Sequence, residues 1–283
     1  MSNKFIGIFA LAVASLSCNV VAGENLLKNG DGENGQENWS EKQTQVCTAN
    51  PHSGKSCLTT IVPVVISEDF IEVVPDKAYK VGGWFRSADG KPVNAYLGLA
   101  PFDKDKKPIE SPNVLVIAGT ETELVEDCLP ACKILKVKDG SKWTLENNCG
   151  KYGLVAFNID DSGKYLDLPN RELSAGCGIE KIEKKDGCWE ISLKNPCGKI
   201  YRAGTKVREH RPGANYMYKW YQEAFQSKDW IHAEGTVKGI AETGTPVTSF
   251  WPGTKYVKVV VMGMGGKLNF DDMTFEEIGN SGN

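Results

Sequence analysis

The sequence predicts an all-β protein, and three observations carry that reading. Short apolar runs rich in β-branched and aromatic residues recur along the chain: SCLTTIVPVVI, AYKVGGWFRS, NAYLGLAPF, NVLVIAG, GLVAFNI, CWEISL, KIYRAGTKV, YVKVVVMGM and KLNFDDMTF. Turn signals such as PDK, ADGKP, DKDKKP and KDG separate them, at the spacing of a sandwich or barrel. No window shows a long amphipathic helix. The best candidate, YKWYQEAFQ at 218–226, reads equally as a strand.

Residues 1–22 come first and read as a secretory signal. They carry one lysine, Lys4, then an apolar run from Phe5 to Leu16, then small residues ending in Ala22, after which cleavage is expected. The run is short for a bilayer span. An alternative makes Cys18, in SLSC, a lipid attachment site, although the residues before it are out of order for one. Secretion, or residence in the periplasm or at the cell surface, is the expectation, with no membrane span.

The cysteines agree with export. Of nine, Cys18 falls in the leader, and Cys47, Cys57, Cys128, Cys132, Cys149, Cys177, Cys188 and Cys197 remain. An even count in an oxidising compartment points to disulfides. Zinc is a poor alternative, since no close CxxC pair occurs and His52, His210 and His232 are scattered. Cys47 and Cys57 enclose TANPHSGKS as a hairpin staple would, and Cys188 and Cys197 flank WEISLKNP in the same way. The other four allow three connectivities.

In AYKVGGWFRS, alternation puts Tyr79, Val81 and Phe85 on one face and Lys80, Trp84 and Arg86 on the other. Formal charge is −3 with no basic stripe, which argues against nucleic acid and anionic membranes as partners. No GxSxG elbow, HExxH, phosphate loop or dinucleotide fingerprint is present. Acids are plentiful, but nothing singles out a catalytic pair.

The two chain ends gain meaning together. NLLKNGDGENGQENW at 25–39 and YVKVVVMGMGGKLNFDDMTFEE near the end resemble the first and last strands of jelly-roll carbohydrate-binding modules of the galactose-binding-like group (families 4, 9 and 22). AYKVGGWFRS and HSGKSCL resemble a middle strand and a loop of the same modules. One departure is Gly32, where such modules usually place Phe. The resemblance covers 25 to about 123 and 214 to 277, and implies a jelly-roll β-sandwich over 23–123 and 214–283. Residues 124–213, with six cysteines, fall outside it and read as an inserted, small, disulfide-rich, β-barrel-like subdomain.

The resemblance also implies a structural calcium ion near the two ends. Glu33 and Asp271 are the expected side-chain ligands, and carbonyls from Asp31, Ser53 and Lys55 complete the shell. It implies a polysaccharide or other glycan as partner, held without catalysis. Trp84 would stack on a sugar ring, Arg86 would bond its hydroxyls or an acidic substituent, and Tyr96 would join them from the neighbouring strand. Tyr216, Tyr218 and Trp220, with Tyr221, would line a wall of the same cleft, while Trp39 and Trp230 would pack internally. Two other classes stay open: a jelly-roll polysaccharide lyase or glycoside hydrolase, and a cell-surface structural or adhesion protein.

Overall fold

The computed structural model describes residues 23–279; the signal segment and Cys18 lie outside the described residues. In chain order the strands are β1 Thr44–Cys47, β2 Cys57–Thr60, β3 Val64–Ile66, β4 Ile71–Glu72, β5 Ala78–Ser87, β6 Val93–Phe102, β7 Thr122–Glu123 and β8 Ile134–Val137. They continue as β9 Leu154–Phe157, β10 Ile179–Lys185, β11 Cys188–Leu193, β12 Lys206–His210, β13 Met217–Phe225, β14 Ile231–Lys238, β15 Tyr256–Met264 and β16 Leu268–Ile278. Two single-turn helices, α1 Ser111–Val114 and α2 Cys149–Tyr152, complete the set.

The larger part is an antiparallel β-sandwich in the jelly-roll manner. One sheet runs β1-β2-β16-β5-β14 and the other β13-β6-β15-β3, with β4 beside β15. From β13 onward each strand joins the sheet opposite its predecessor. Alternation explains the core: Tyr79, Val81 and Phe85 of β5 point inward to meet Leu97 and Leu99 of β6, Val257, Val259 and Val261 of β15, and Phe270 and Phe275 of β16. The 218–226 stretch is strand through Phe225, not helix, because it pairs antiparallel with β6 from Met217 to Phe225.

The opening stretch is ordered and lies against the last strand. Asn25 bridges Glu276, Leu26 N–H donates to Phe275 O, and Met273 N–H donates to Gly30 O. Gly30 is required there, since a Cβ would stand 1.9 Å from Met273 O. After one bridge the chain turns through Gly32 at φ +66° instead of continuing as a strand. Trp39, fully buried, closes this corner by packing edge-on to Phe270 at 5.0 Å and donating from Nε1 to Asn29 O.

Residues between β6 and β13 hold a second core, drawn from Leu124 to Val207. Its sheets run β10-β11-β8 and β7-β12-β9. Val125 N–H to Lys136 O and Lys138 N–H to Glu123 O join them on one side, and Gly178 N–H to Gly153 O draws the other edges together, so six strands curl into a barrel-like shape. Strand β12 ties this part to the sandwich. Arg208 donates from Nε to His210 Nε2, which leaves His210 Nδ1–H to donate to Pro112 O. The imidazole is therefore neutral, and burial together with Arg208 lowers its pKa to about 4.

All eight described cysteines are thiols in the structure. Cys47 and Cys57 stand opposite each other on β1 and β2, and Cys197, Cys132 and Cys128 neighbour one another. The expected Cys188–Cys197 staple does not match this placement. Cys188 opens β11, which runs straight for six residues, so the two Cα atoms lie well beyond the ~7 Å a disulfide spans. A flanking pair resembles a hairpin staple only when the intervening residues turn back.

Candidate functional site

The residues expected to form one cleft occupy three places. Trp84 and Arg86 leave the core on the outer face of the first sheet, as alternation requires. Tyr96, Tyr216 and Tyr218 gather on the outer face of the second sheet. Trp220 lies between the sheets, stacked on Phe85 at 5.5 Å and edge-on to Phe225 at 5.8 Å. A register shift between Tyr218 and Trp220 turns the indole inward, and no count of alternation reveals such a bulge in advance. Trp220 is a packing residue.

The Trp84 face is covered. Residues 49–53 of the β1–β2 loop cross it, and His52 stacks on Trp84 at 3.9 Å and 16°. His52 Nδ1 meets Asp272 Oδ2 at 2.6 Å, and Ser53 Oγ donates to Asp272 Oδ1 at 2.8 Å. His232 flanks the indole at 5.0 Å. Arg86 donates to Ala49 O and lies over the Trp230 ring at 5.0 Å, and Trp230 Nε1 donates to Asn50 O. Trp230 is thus a half-buried packing residue of this outer face. Trp84 and Arg86 are both half-buried beneath this loop.

The expected calcium ligands converge but do not fit the ion. Glu33 Oε1 accepts the N–H groups of Lys55 (2.7 Å) and Ser56 (2.8 Å), which hold its pKa below the usual carboxylate range. Asp271 Oδ2 accepts from His52 N–H (2.8 Å) and Ser53 N–H (3.3 Å), and Asp31 Oδ1 accepts from Glu33 N–H. A calcium shell is built of oxygens, whereas the loop turns N–H donors toward both carboxylates. Among the described residues no three His, Cys, Asp or Glu side chains are grouped to hold a metal. Asp271 is buried, and burial pushes its pKa up to about 6 against the pull of its N–H donors.

The second outer face is continuous: Val260 and Met262 are buried among half-buried Tyr96 and Tyr218, and Tyr221 is exposed at its edge. Tyr221, Tyr96, Met262 and Val64 form one straight row across four strands, and Tyr218, Gly98, Val260 and Ile66 form the next. Tyr96 sits 4.5 Å from Tyr221 and 5.2 Å from Tyr218, and Tyr216 lies 6.1 Å from Tyr218. Gly98 has no side chain, which lets the β13 backbone approach, since a Cβ there would stand 3.0 Å from Met217 O. Burial raises the pKa of Tyr216 and Tyr218, which keeps both phenols as hydroxyl donors. Beyond Ala100 the face opens into a cleft of ≈ 420 Å³, lined by Ile66, Phe102, Ser111, Pro112, Asn215 and Tyr216 among others.

Val64, Val260 and Met262 complete this face and were not singled out as site residues. Their signal is present, since YVKVVVMGM and NAYLGLAPF are apolar on both faces. A half-solvated strand has no need of a second apolar face.

No family model matches the chain, and no curated protein matches it. Among solved structures it is similar to TmCBM61 in complex with β-1,4-galactotriose (14% identity, 90% of this chain and 99% of that one, TM-score 0.33). It is similar to the CBM22-1 xylan-binding domain of Paenibacillus barcinonensis Xyn10C (8%, 92% and 98%, TM-score 0.36). A third similar structure is the enzymatically active domain of bacteriophage CBA120 tailspike protein 4 (9%, 90% and 21%, TM-score 0.36). The sandwich assignment rests on the sheet order and core described above.

Proposed function

We propose that this protein is an exported, non-catalytic carbohydrate-binding protein, and that it holds a polysaccharide chain on the outer face of the second sheet. The observation that carries this reading is the tyrosine and aliphatic rows that lead into the cleft. Sugar rings have apolar CH faces edged by hydroxyls, and they are held by aromatic platforms with a few polar groups nearby. Tyr96, Tyr218 and Tyr221 supply the platform, and Tyr216 and Asn215 supply hydroxyl and amide partners at the cleft. The absence of a catalytic motif in the sequence supports binding without turnover. Among the described residues no helix is long and apolar enough to cross a membrane.

Calorimetric titration of the mature protein with a panel of soluble polysaccharides tests this reading. Each tyrosine stack is worth about 0.5–1.5 kcal/mol. Tyr96→Ala/Tyr218→Ala is therefore expected to weaken binding by about 5- to 150-fold with the melting temperature nearly unchanged. Binding that survives this double variant, or that is lost only in Trp84→Ala, places the site elsewhere.

A further inference from the structure

Cys47 and Cys57 are the last opposed pair of β1 and β2 before the chain leaves the sheet for residues 48–56. Opposed residues of an antiparallel ladder have Cα atoms about 4.5–5.5 Å apart, inside the range a disulfide bridges. The two thiols are near enough that Cys47 helps push the Cys57 thiol up. The loop between them is the one that lies over Trp84. Seven contacts fasten it there: His52 on the indole, His52 N–H and Ser53 N–H on Asp271, His52 Nδ1 and Ser53 Oγ on Asp272, Ala49 O on Arg86, and Asn50 O on Trp230. All seven lie between the two cysteines, so the state of the neck bears on every one.

We propose that Cys47–Cys57 is a disulfide site that clasps the loop shut over Trp84, with a small-molecule disulfide such as oxidised glutathione as the oxidant. Cys47 is only partly buried and attacks first, as its thiolate, on one glutathione sulfur; the other glutathione leaves as a thiolate. Cys57 is fully buried and poorly ionised, since burial pushes its thiol up to about 12. It gives its proton to a thiolate or water and attacks the Cys47 sulfur, expelling the second glutathione. One S–S bond forms in the protein and one is lost in glutathione. The two protons and two electrons leave the protein for two glutathione thiols. With the neck closed, the open loop has fewer conformations, and the covered state of Trp84 is favoured.

The experiment uses the full mature chain. After incubation with oxidised glutathione and alkylation of remaining thiols, non-reducing peptide mapping is expected to show Cys47 joined to Cys57. Recovery of both as alkylated thiols, or of either joined to a cysteine between 128 and 197, overturns the site. The clasp is read by the proton resonance of the His52 ring, which the Trp84 stack shifts upfield. Cys47→Ser/Cys57→Ser is expected to move that resonance toward its free-histidine position. It should also raise the unfolding equilibrium constant roughly 100-fold, the loop-entropy value for a ring of this size. Should the double variant fail to fold, the same resonance is read in the wild-type chain before and after reduction. A His52 resonance that stays in place in either comparison overturns the clasp.

Discussion

On the first sheet Trp84 leaves the core and meets His52 at 3.9 Å; on the second, Tyr96, Tyr218 and Tyr221 leave the core and meet one another and solvent. Trp84 and Tyr96 lie on strands second from a sheet edge, Tyr218 and Tyr221 on the edge strand β13, and all four are outward aromatics. The difference lies in what passes overhead. The β1–β2 loop returns across the first sheet because Asp271, Asp272, Arg86 and Trp230 each hold one of its groups. Among the described residues no loop makes a comparable set of polar contacts across the tyrosine rows. An outward aromatic is a binding platform only where no loop has claimed it.

The largest expected effect separates packing from platform. Trp220→Ala should cost about 3 kcal/mol in chemical denaturation, as truncation of a core aromatic does, whereas Tyr218→Ala should cost well under 1 kcal/mol. A Trp220→Ala variant of normal stability with impaired glycan binding would return that residue to the site.

Next, Trp84→Ala removes the surface on which His52 rests. A loss of about 1–2 kcal/mol is expected from the stack and the shared contacts, with polysaccharide affinity unaltered. The measurement is paired: melting temperature on one side, titration on the other.

The pH dependence compares the sandwich with the smaller β region, because each holds one buried acid. Asp271 titrates near 6 and Glu209 near 7, both raised chiefly by burial. Glu209 receives Thr144 N–H on Oε2, while its Oε1 has no partner. A carboxyl whose folded pKa lies above its unfolded value binds its proton more tightly when folded. Its stabilising contribution is complete at about pH 4 and is lost as pH rises through about 6 for Asp271 and about 7 for Glu209. Asp271→Asn and Glu209→Gln should each flatten the stability curve in its own window, by on the order of 1 kcal/mol. A wild-type curve that rises between pH 5 and 8 more steeply than that of either variant contradicts this sign.

The smallest effect concerns the metal. Since the loop satisfies Glu33 and Asp271 with N–H groups, EDTA should shift the melting temperature by less than about 1 °C. A drop of several degrees, reversed by added calcium, would mean that the loop turns over to offer oxygens in solution.

The all-β class, the inward set Tyr79, Val81 and Phe85 and the outward set Trp84 and Arg86 were legible in residue order, because period-two geometry is local. The meeting of the two chain ends entered only with the resemblance to jelly-roll modules. Packing between distant segments settled the rest. A bulge after Tyr218 sent Trp220 inward, an extended β11 parted Cys188 from Cys197, and backbone N–H groups of a remote loop occupied the carboxylates that resembled calcium ligands. His52 covering Trp84 belongs to the same class. Each outcome depends on where a loop or strand from elsewhere in the chain comes to lie, and alternation along one strand carries no record of what packs across it.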